Sequence, residues 1–390
     1  MALVDLIARV DNLKKEIDKF RPLKAEQERR ILDKFRLDWN YHSNAIEGNR
    51  LTLGETRAFL LEGVTAHGKP LKDHLDIKGH NEVIAFLEGF IQRKEILTEA
   101  TIRGLHEILL REPYEVEART PEGGITKKMV KLGEYKTEQN FVRTGTGQIR
   151  YFLPPQDTSA NMHGLMEWLK KETSGKSNHP LIVAGLFHHR FTQIHPFDDG
   201  NGRMARILMN LILMQNGFPP VIIKTQQRES YLFALVKADA GEHNELLELI
   251  ADEEINSEEI YLRGANNEDI SDFDDIDKKI ALFKQQLGNV ESPLAFTTEV
   301  QKHFFHHFTK PLVLRLAKKL SQFNDLFISN AIRDGEPPQF SEPGLFLTRA
   351  DGTLFFASRG SAPWGRPPLD QMLRGIDVVT ERKMPARGEA

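Results

Sequence analysis

The stretch HHRFTQIHPFDDGNGRMARILMN, residues 188–210, gathers more chemistry than any other part of the chain: an imidazole, a carboxylate, a Gly-Asn-Gly turn and two guanidiniums in order. His195, with an ordinary pKa of about 6.5, can take a proton from an attacking hydroxyl at neutral pH. The pattern turns helical after the glycines, so the amides of Gly200, Asn201 and Gly202 are expected at a helix N-terminus, where free N–H groups and the dipole favour an anion. Arg203 and Arg206 stand three apart on one face of that helix and can address the same extended anion. A carboxylate in such a loop would repel phosphates unless a cation lies between them, which makes Asp199 a candidate ligand for Mg2+ or Mn2+.

Each piece alone has a plainer reading. A Gly-Asn-Gly turn before arginines is an ordinary helix start with solvated charges; the combination departs from that. Phe191, Ile194, Phe197, Ile207 and Leu208 read as core. His188 and His189 are adjacent and diverge on a helix, which suits packing better than metal binding.

These groups need a helical scaffold. Leu3, Leu6, Ile7, Val10, Leu13 and Ile17 recur at helical spacing, and the period resumes after Pro22 through Leu32, Phe35 and Trp39. Helical patterns follow at 52–61, 75–87 and 98–110, the last opened by a Thr-plus-acid capping signature, then at 158–171, 181–191, 204–216 and 229–238. Between them, LGEYKTEQNFVRTGTGQIRYFLPP alternates around a tip at Thr144, Gly145, Thr146 and Gly147, and predicts one β-hairpin. Acids crowd residues 251–277, which reads as a solvated linker with a boundary near Asn266. Beyond it lie a helical stretch with FFHHF, a second hairpin in LFLTRADGTLFF, and a Gly/Pro/Arg-rich end from Arg359 that reads as disordered.

The 390 residues exceed the usual single domain; 40% are hydrophobic and 28% charged, the balance of a globular protein. A net charge of −4 disfavours nucleic acid as a partner. With no cysteine there is no disulfide framework or thiolate chemistry, which fits the cytoplasm. The N-terminus lacks the features of a signal peptide and no apolar run is long enough for a membrane span, so export and membrane insertion are not expected.

Residues 195–206, HPFDDGNGRMAR, match every specified position of the Fic signature, His-Pro-Phe-x-Asp/Glu-Gly-Asn-Gly-Arg-x-x-Arg, and the chain resembles that family from about Trp39 to Ile250. The resemblance takes in GEYK, the hairpin and PP at 133–155, and RESYLFALVKADAGEHNELLELI at 228–250. It implies a mainly α fold: a Fic-type helical bundle with a β-hairpin flap, here with a smaller C-terminal α+β region. The expected divisions are 1–95, a helical region with an inhibitory motif; 96–265, the Fic core; and 266–390, of unknown role.

The resemblance implies AMP transfer from ATP to a Tyr, Thr or Ser hydroxyl of a target protein or of the chain itself. His195 would be the base and Asp199 the metal ligand. Asn201, Gly202 and Arg203 would hold the α- and β-phosphates, and Arg206 would reach the γ-phosphate. The flap would dock the target by strand addition. Upstream, SNAIEGN looks like the family's inhibitory motif, with Ser43 and Glu47 four apart on one helical face, Gly48 able to end the helix, and Arg206 the better partner for Glu47. Transfer of UMP or another phosphate-diester group, removal of AMP with the help of Glu47, a non-enzymatic regulatory module and a homodimer stay open.

Overall fold

The computed structural model describes residues 2–119, 124–143, 149–175 and 178–270, together with two short strands further on. The chain divides into two compact units, Met1–Asn289 and Val290–Ala390. The first unit is helical. Its order is α1 (Leu3–Phe20), α2 (Ala25–Ile46), α3 (Leu53–Glu62), α4 (Leu71–Gln92), α5 (Glu99–Leu110), strands β1 (Tyr114–Arg119), β2 (Ile125–Val130), β3 (Phe141–Arg143) and β4 (Ile149–Tyr151), then α6 (Pro155–Gly175), α7 (Pro180–Ile194), α8 (Asn201–Gln215), α9 (Arg228–Asp239) and α10 (Asn244–Ala265).

Local chemistry sets several boundaries. Thr52 and Glu55 form a full capping box at the start of α3, and Thr98 Oγ1 accepts from Thr101 N–H at 3.1 Å to open α5. Pro180 occupies the first turn of α7, where a missing N–H costs nothing. Helix α2 ends at Ile46 and Gly48 takes φ 94°, the left-handed conformation expected of it.

Helix α8 is the axis of the core. From Arg203 to Leu213 every residue is buried, and the helix packs against α7, α4 and α2. Helix α10 lies against α1, α2, α7 and α9. The N-terminal helices α1 and α2 thus pack in one unit with the helices that carry the signature.

Two expectations need correction. A first hairpin, β1 with β2, precedes the expected one, with Tyr114 opposite Val130 and Arg119 opposite Ile125. Residues 251–265 are the second half of α10 and not a linker; Glu253, Glu254 and Glu258 are buried there, with Ile250, Ile255 and Ile260 continuing the helical core period. The expected flap pairs Phe141 with Tyr151, Val142 with Arg150 and Arg143 with Ile149. Its tip, Thr144 to Gly147, lies outside the described residues. In the second unit β5 (Phe346–Thr348) and β6 (Leu354–Ala357) pair antiparallel, as LFLTRADGTLFF suggested; the FFHHF stretch and the end of the chain lie outside the described residues. Among the described residues no helix is long and apolar enough to cross a membrane.

Candidate active site

The loop between α7 and α8 is held from three sides. Helix α7 stops at His195, whose own backbone turns left-handed (φ 49°) while its N–H still donates to Phe191 O at 2.9 Å. This conformation is uncommon for a side chain with a Cβ, and it swings the imidazole away from the helix path. Gly200, at φ 78°, makes the second left-handed turn and starts α8. Asn201 closes the loop on itself: its Oδ1 accepts from Phe197 N–H at 2.9 Å and its Nδ2 donates to Phe197 O at 2.8 Å. The side chain of Asn201 is therefore spent on the loop, and its backbone amide is what remains for an anion.

Residues that sequence reasoning missed hold the loop from outside. The Phe197 ring stacks on His106 of α5 with centroids 3.8 Å apart. His106 Nδ1 accepts from Gly133 N–H at 3.0 Å, which leaves the proton on Nε2 to donate to Asp199 O at 3.0 Å. Burial lowers this imidazole to a pKa of about 4, so it stays neutral and keeps that tautomer. Lys136 grips both carbonyls flanking His195: Nζ donates to Ile194 O at 2.9 Å and the backbone N–H to Pro196 O at 2.8 Å. Lys128 of β2 pairs with Asp198 at 2.7 Å and Asn140 donates to Phe197 O at 2.8 Å, which ties both hairpins to the loop.

The His195 ring stacks on Phe152, just past β4, with centroids 3.7 Å apart. Burial, with the Lys136 cation close by, lowers its pKa to about 3, against a weaker opposing effect of the Thr192 carbonyl. His195 is thus a neutral acceptor of protons across the physiological range.

Asp199 receives the Gly200 N–H on Oδ1 at 2.6 Å and the Tyr114 hydroxyl on Oδ2. Burial alone would raise this carboxyl; the Arg203 guanidinium, Tyr114 and the Gly200 amide outweigh it and hold the group below its ordinary range. The carboxylate is ionised and keeps unused lone pairs on both oxygens. One buried, ionised carboxylate suits Mg2+, which binds few protein ligands and takes its other oxygens from phosphates and water. His188 and His189 are packing residues with hydrogen-bond partners, Tyr231 at 2.8 Å and Asp239 at 3.1 Å.

The two arginines of α8 share a face but meet different acids. Arg203 NH1 pairs with Asp76 of α4 at 2.7 Å, and Asn44 Oδ1 lies 3.4 Å from the same nitrogen. Arg206 NH2 pairs with Glu47 Oε1 at 2.7 Å and donates to Ser43 O at 2.8 Å, while its Nε donates to Ser43 Oγ at 3.1 Å. The Arg206 guanidinium also lies over the Tyr231 ring, 5.9 Å from its centroid. Burial opposes both charges, and the facing carboxylates outweigh it and raise both pKa values. Glu47 sits directly over Gly202; a Cβ there would collide with its carboxylate. The carboxylate thus stands at the N-terminus of α8, where an anionic ligand would be favoured.

Comparisons with known proteins bear on the family and the fold. Residues 96–213 match the model of the Fic/DOC family. A Nematostella vectensis protein named protein adenylyltransferase Fic is 35% identical over 212 residues, 54% of this chain and 45% of that protein, so the chain spans less than half the length of this relative. The crystal structure of a Fic domain containing signaling protein from Bacteroides thetaiotaomicron superposes with a TM-score of 0.62 at 32% identity, covering 68% of this chain and 99% of that one. Fic-1 from C. elegans gives a TM-score of 0.54 at 27% identity, covering 66% and 72%.

Proposed function

The chain belongs to the Fic/DOC family, and we propose from that premise that it transfers AMP from ATP to a Tyr, Thr or Ser hydroxyl of a protein, itself included. The observation that carries the reading is the loop itself: a neutral buried imidazole at one end, an ionised carboxylate in the middle, and free helix amides with two guanidiniums at the other end. The name of the Nematostella relative supports the same reaction.

In this reading the acceptor oxygen attacks the α-phosphorus while its proton passes to His195. The bond from the α-phosphorus to the bridging oxygen breaks, and pyrophosphate leaves with the electron pair. Burial, and after it the charges of Lys136 and Arg150, lower the basicity of His195 in the free protein; a polyphosphate alongside offsets the share of the two cations. The amides of Asn201 and Gly202 and the guanidinium of Arg203 hold the α- and β-phosphates, with Arg206 on the γ-phosphate. Asp199 would hold Mg2+ or Mn2+, which when bound neutralises charge on the phosphate oxygens.

Glu47 and Ser43 make the resting site self-restrained, because the side of Arg206 that would take the γ-phosphate is filled by α2. The β3–β4 flap receives an extended target segment by strand addition, steadied by the ion pair between Arg150 of β4 and Asp239 of α9. Incubation of the Glu47→Gly variant with Mg2+ and either ATP or UTP, followed by peptide mass spectrometry, tests the reading. An AMP adduct on a Tyr, Thr or Ser is expected. A UMP adduct with no AMP adduct would replace the donor, and no adduct on the protein or on added lysate proteins would refute transfer.

A further inference from the structure

The two α8 arginines differ in which part of the guanidinium the protein uses. On Arg206 the Nε and NH2 nitrogens, the edge that matches two oxygens of a phosphate, are taken by Ser43 and Glu47. On Arg203 the protein uses NH1 alone, for Asp76 and Asn44. Among the described residues its Nε is buried without a hydrogen-bond partner, and the bonds to Asp76 and Asn44 both leave from NH1. An acid on the far nitrogen anchors a cation without consuming the edge that binds.

We propose that Asp76 is a positioning residue: from α4 it holds Arg203 by NH1 so that the Nε–NH2 edge stays presented to the nucleotide phosphates, the inference resting on the adenylyltransferase reading above. The pair is suited to that task. The Arg203 side chain is 4% exposed and that of Asp76 13%, so solvent screens their 2.7 Å contact little. The second oxygen of Asp76 is held in turn by Lys72, one turn earlier on α4, at 3.0 Å. Helix α4 packs directly on α8, so the anchor belongs to the rigid core and not to a loop. Glu47 differs in each respect: it caps the end of α2, its side chain is 41% exposed, and it occupies the binding edge of its arginine. Two acids thus meet two neighbouring arginines with opposite consequences, Glu47 withholding Arg206 and Asp76 aiming Arg203.

Electrostatics separates this role from a second lock. Asp76→Asn takes a negative charge from a site that accepts a polyanion, so attraction alone tightens ATP binding or leaves it unchanged. If Asp76 aims Arg203, kcat falls nonetheless, because misplacement of a phosphate-holding group by about 1 Å costs on the order of 10²-fold in rate. The experiment measures kcat for AMP transfer and the Kd for ATP with Mg2+, in Glu47→Gly as parent, for added Asp76→Asn, Asp76→Glu, Arg203→Gln and the Asp76→Asn/Arg203→Gln pair. The expected result is a fall in kcat of roughly 10- to 100-fold in Asp76→Asn, a Kd no weaker than the parent, partial recovery in Asp76→Glu, and no further loss when Asp76→Asn joins Arg203→Gln. Unchanged or raised kcat, a loss matched by weaker ATP binding, or a loss that persists in the Arg203→Gln background overturns the inference. Should Asp76→Asn not fold, the Asp76→Asn/Arg203→Gln pair, which removes both charges, carries the test: transfer slower than that of Arg203→Gln alone overturns it. A parent that binds ATP and transfers nothing removes the adenylyltransferase reading and this inference with it.

Discussion

Replacing Glu47 with glycine removes the carboxylate that Arg206 NH2 meets at 2.7 Å and opens the space over Gly202. Arg206 keeps its two contacts with Ser43 and its place over Tyr231, so the guanidinium stays where it is, and what the substitution releases is the NH2 hydrogen that met Glu47. The pair is half in solvent, since Glu47 is 41% exposed while Arg206 is 3% exposed. Screening lowers its worth below that of a fully buried pair, to about 1–2 kcal/mol. That energy now competes with the γ-phosphate for one guanidinium, a penalty of roughly 5- to 30-fold at the rate of tenfold per 1.4 kcal/mol. Displacement of the α-phosphorus from the in-line position adds to it, since about 1 Å costs on the order of 10²-fold. The AMP-transfer rate of Glu47→Gly, followed as incorporation from α-labelled ATP, should exceed that of the wild-type protein by roughly 10- to 100-fold. Glu47→Gln, which keeps the shape and loses the charge, should fall between the two. Transfer by Glu47→Gly at or below the wild-type rate, with ATP still bound, would refute the reasoning and leave SNAIEGN as a helix end that merely neutralises Arg206.

Three further outcomes follow. Asp199→Ala should raise the Mg2+ or Mn2+ concentration needed for half-maximal ATP binding, read by calorimetry; equal binding in excess chelator contradicts the assignment. Glu258, raised by burial to about 8, holds a proton in the folded chain between its ordinary carboxylate range and pH 8, whereas the unfolded chain has already released it. Stability should therefore fall as pH climbs through that window, and Glu254→Gln/Glu258→Gln should flatten the fall and raise Tm by a few degrees, about 2–4 °C per kcal/mol, at pH 8; an unchanged Tm–pH profile counts against it. Lys136→Met should free the Ile194 carbonyl, while the backbone N–H stays on Pro196 O, and lower kcat on the order of 10-fold with ATP affinity kept; parallel losses in both would indicate unfolding instead.

How much of this was legible depends on where each partner lies in the chain. The groups of HPFDDGNGRMAR are contiguous, so a turn and one helical period were enough to place them together. Ser43 and Glu47 were readable because helical spacing puts them on one face, and the choice of Arg206 over Arg203 needed only the position of each arginine along α8. Asp76 carries no such mark: it stands 127 residues before Arg203, and only the packing of α4 on α8 joins them. Lys136 and Tyr114 reach the loop across 58 and 85 residues by the same route. The β1–β2 hairpin did leave a signal, a Pro-Glu-Gly-Gly segment between the short runs YEVEAR and ITKKMV, but its many charges hid it. The acids of α10 misled for a physical reason. A run of carboxylates ordinarily seeks water, and here the apolar period of Ile250, Ile255 and Ile260 outweighs that and buries Glu254 and Glu258 with it.

The central claim is that the α-phosphorus of ATP passes to a hydroxyl with His195 taking the proton. Glu47→Gly protein incubated with Mg2+ and ATP labelled either at the α- or at the γ-phosphate tests it, with Glu47→Gly/His195→Ala alongside. The account predicts that the α-label becomes covalently attached and the γ-label leaves in pyrophosphate. It predicts too that loss of the imidazole slows attachment by about 10²- to 10⁴-fold while both variants bind ATP alike. Attachment of the γ-label, or undiminished attachment without His195, would contradict it.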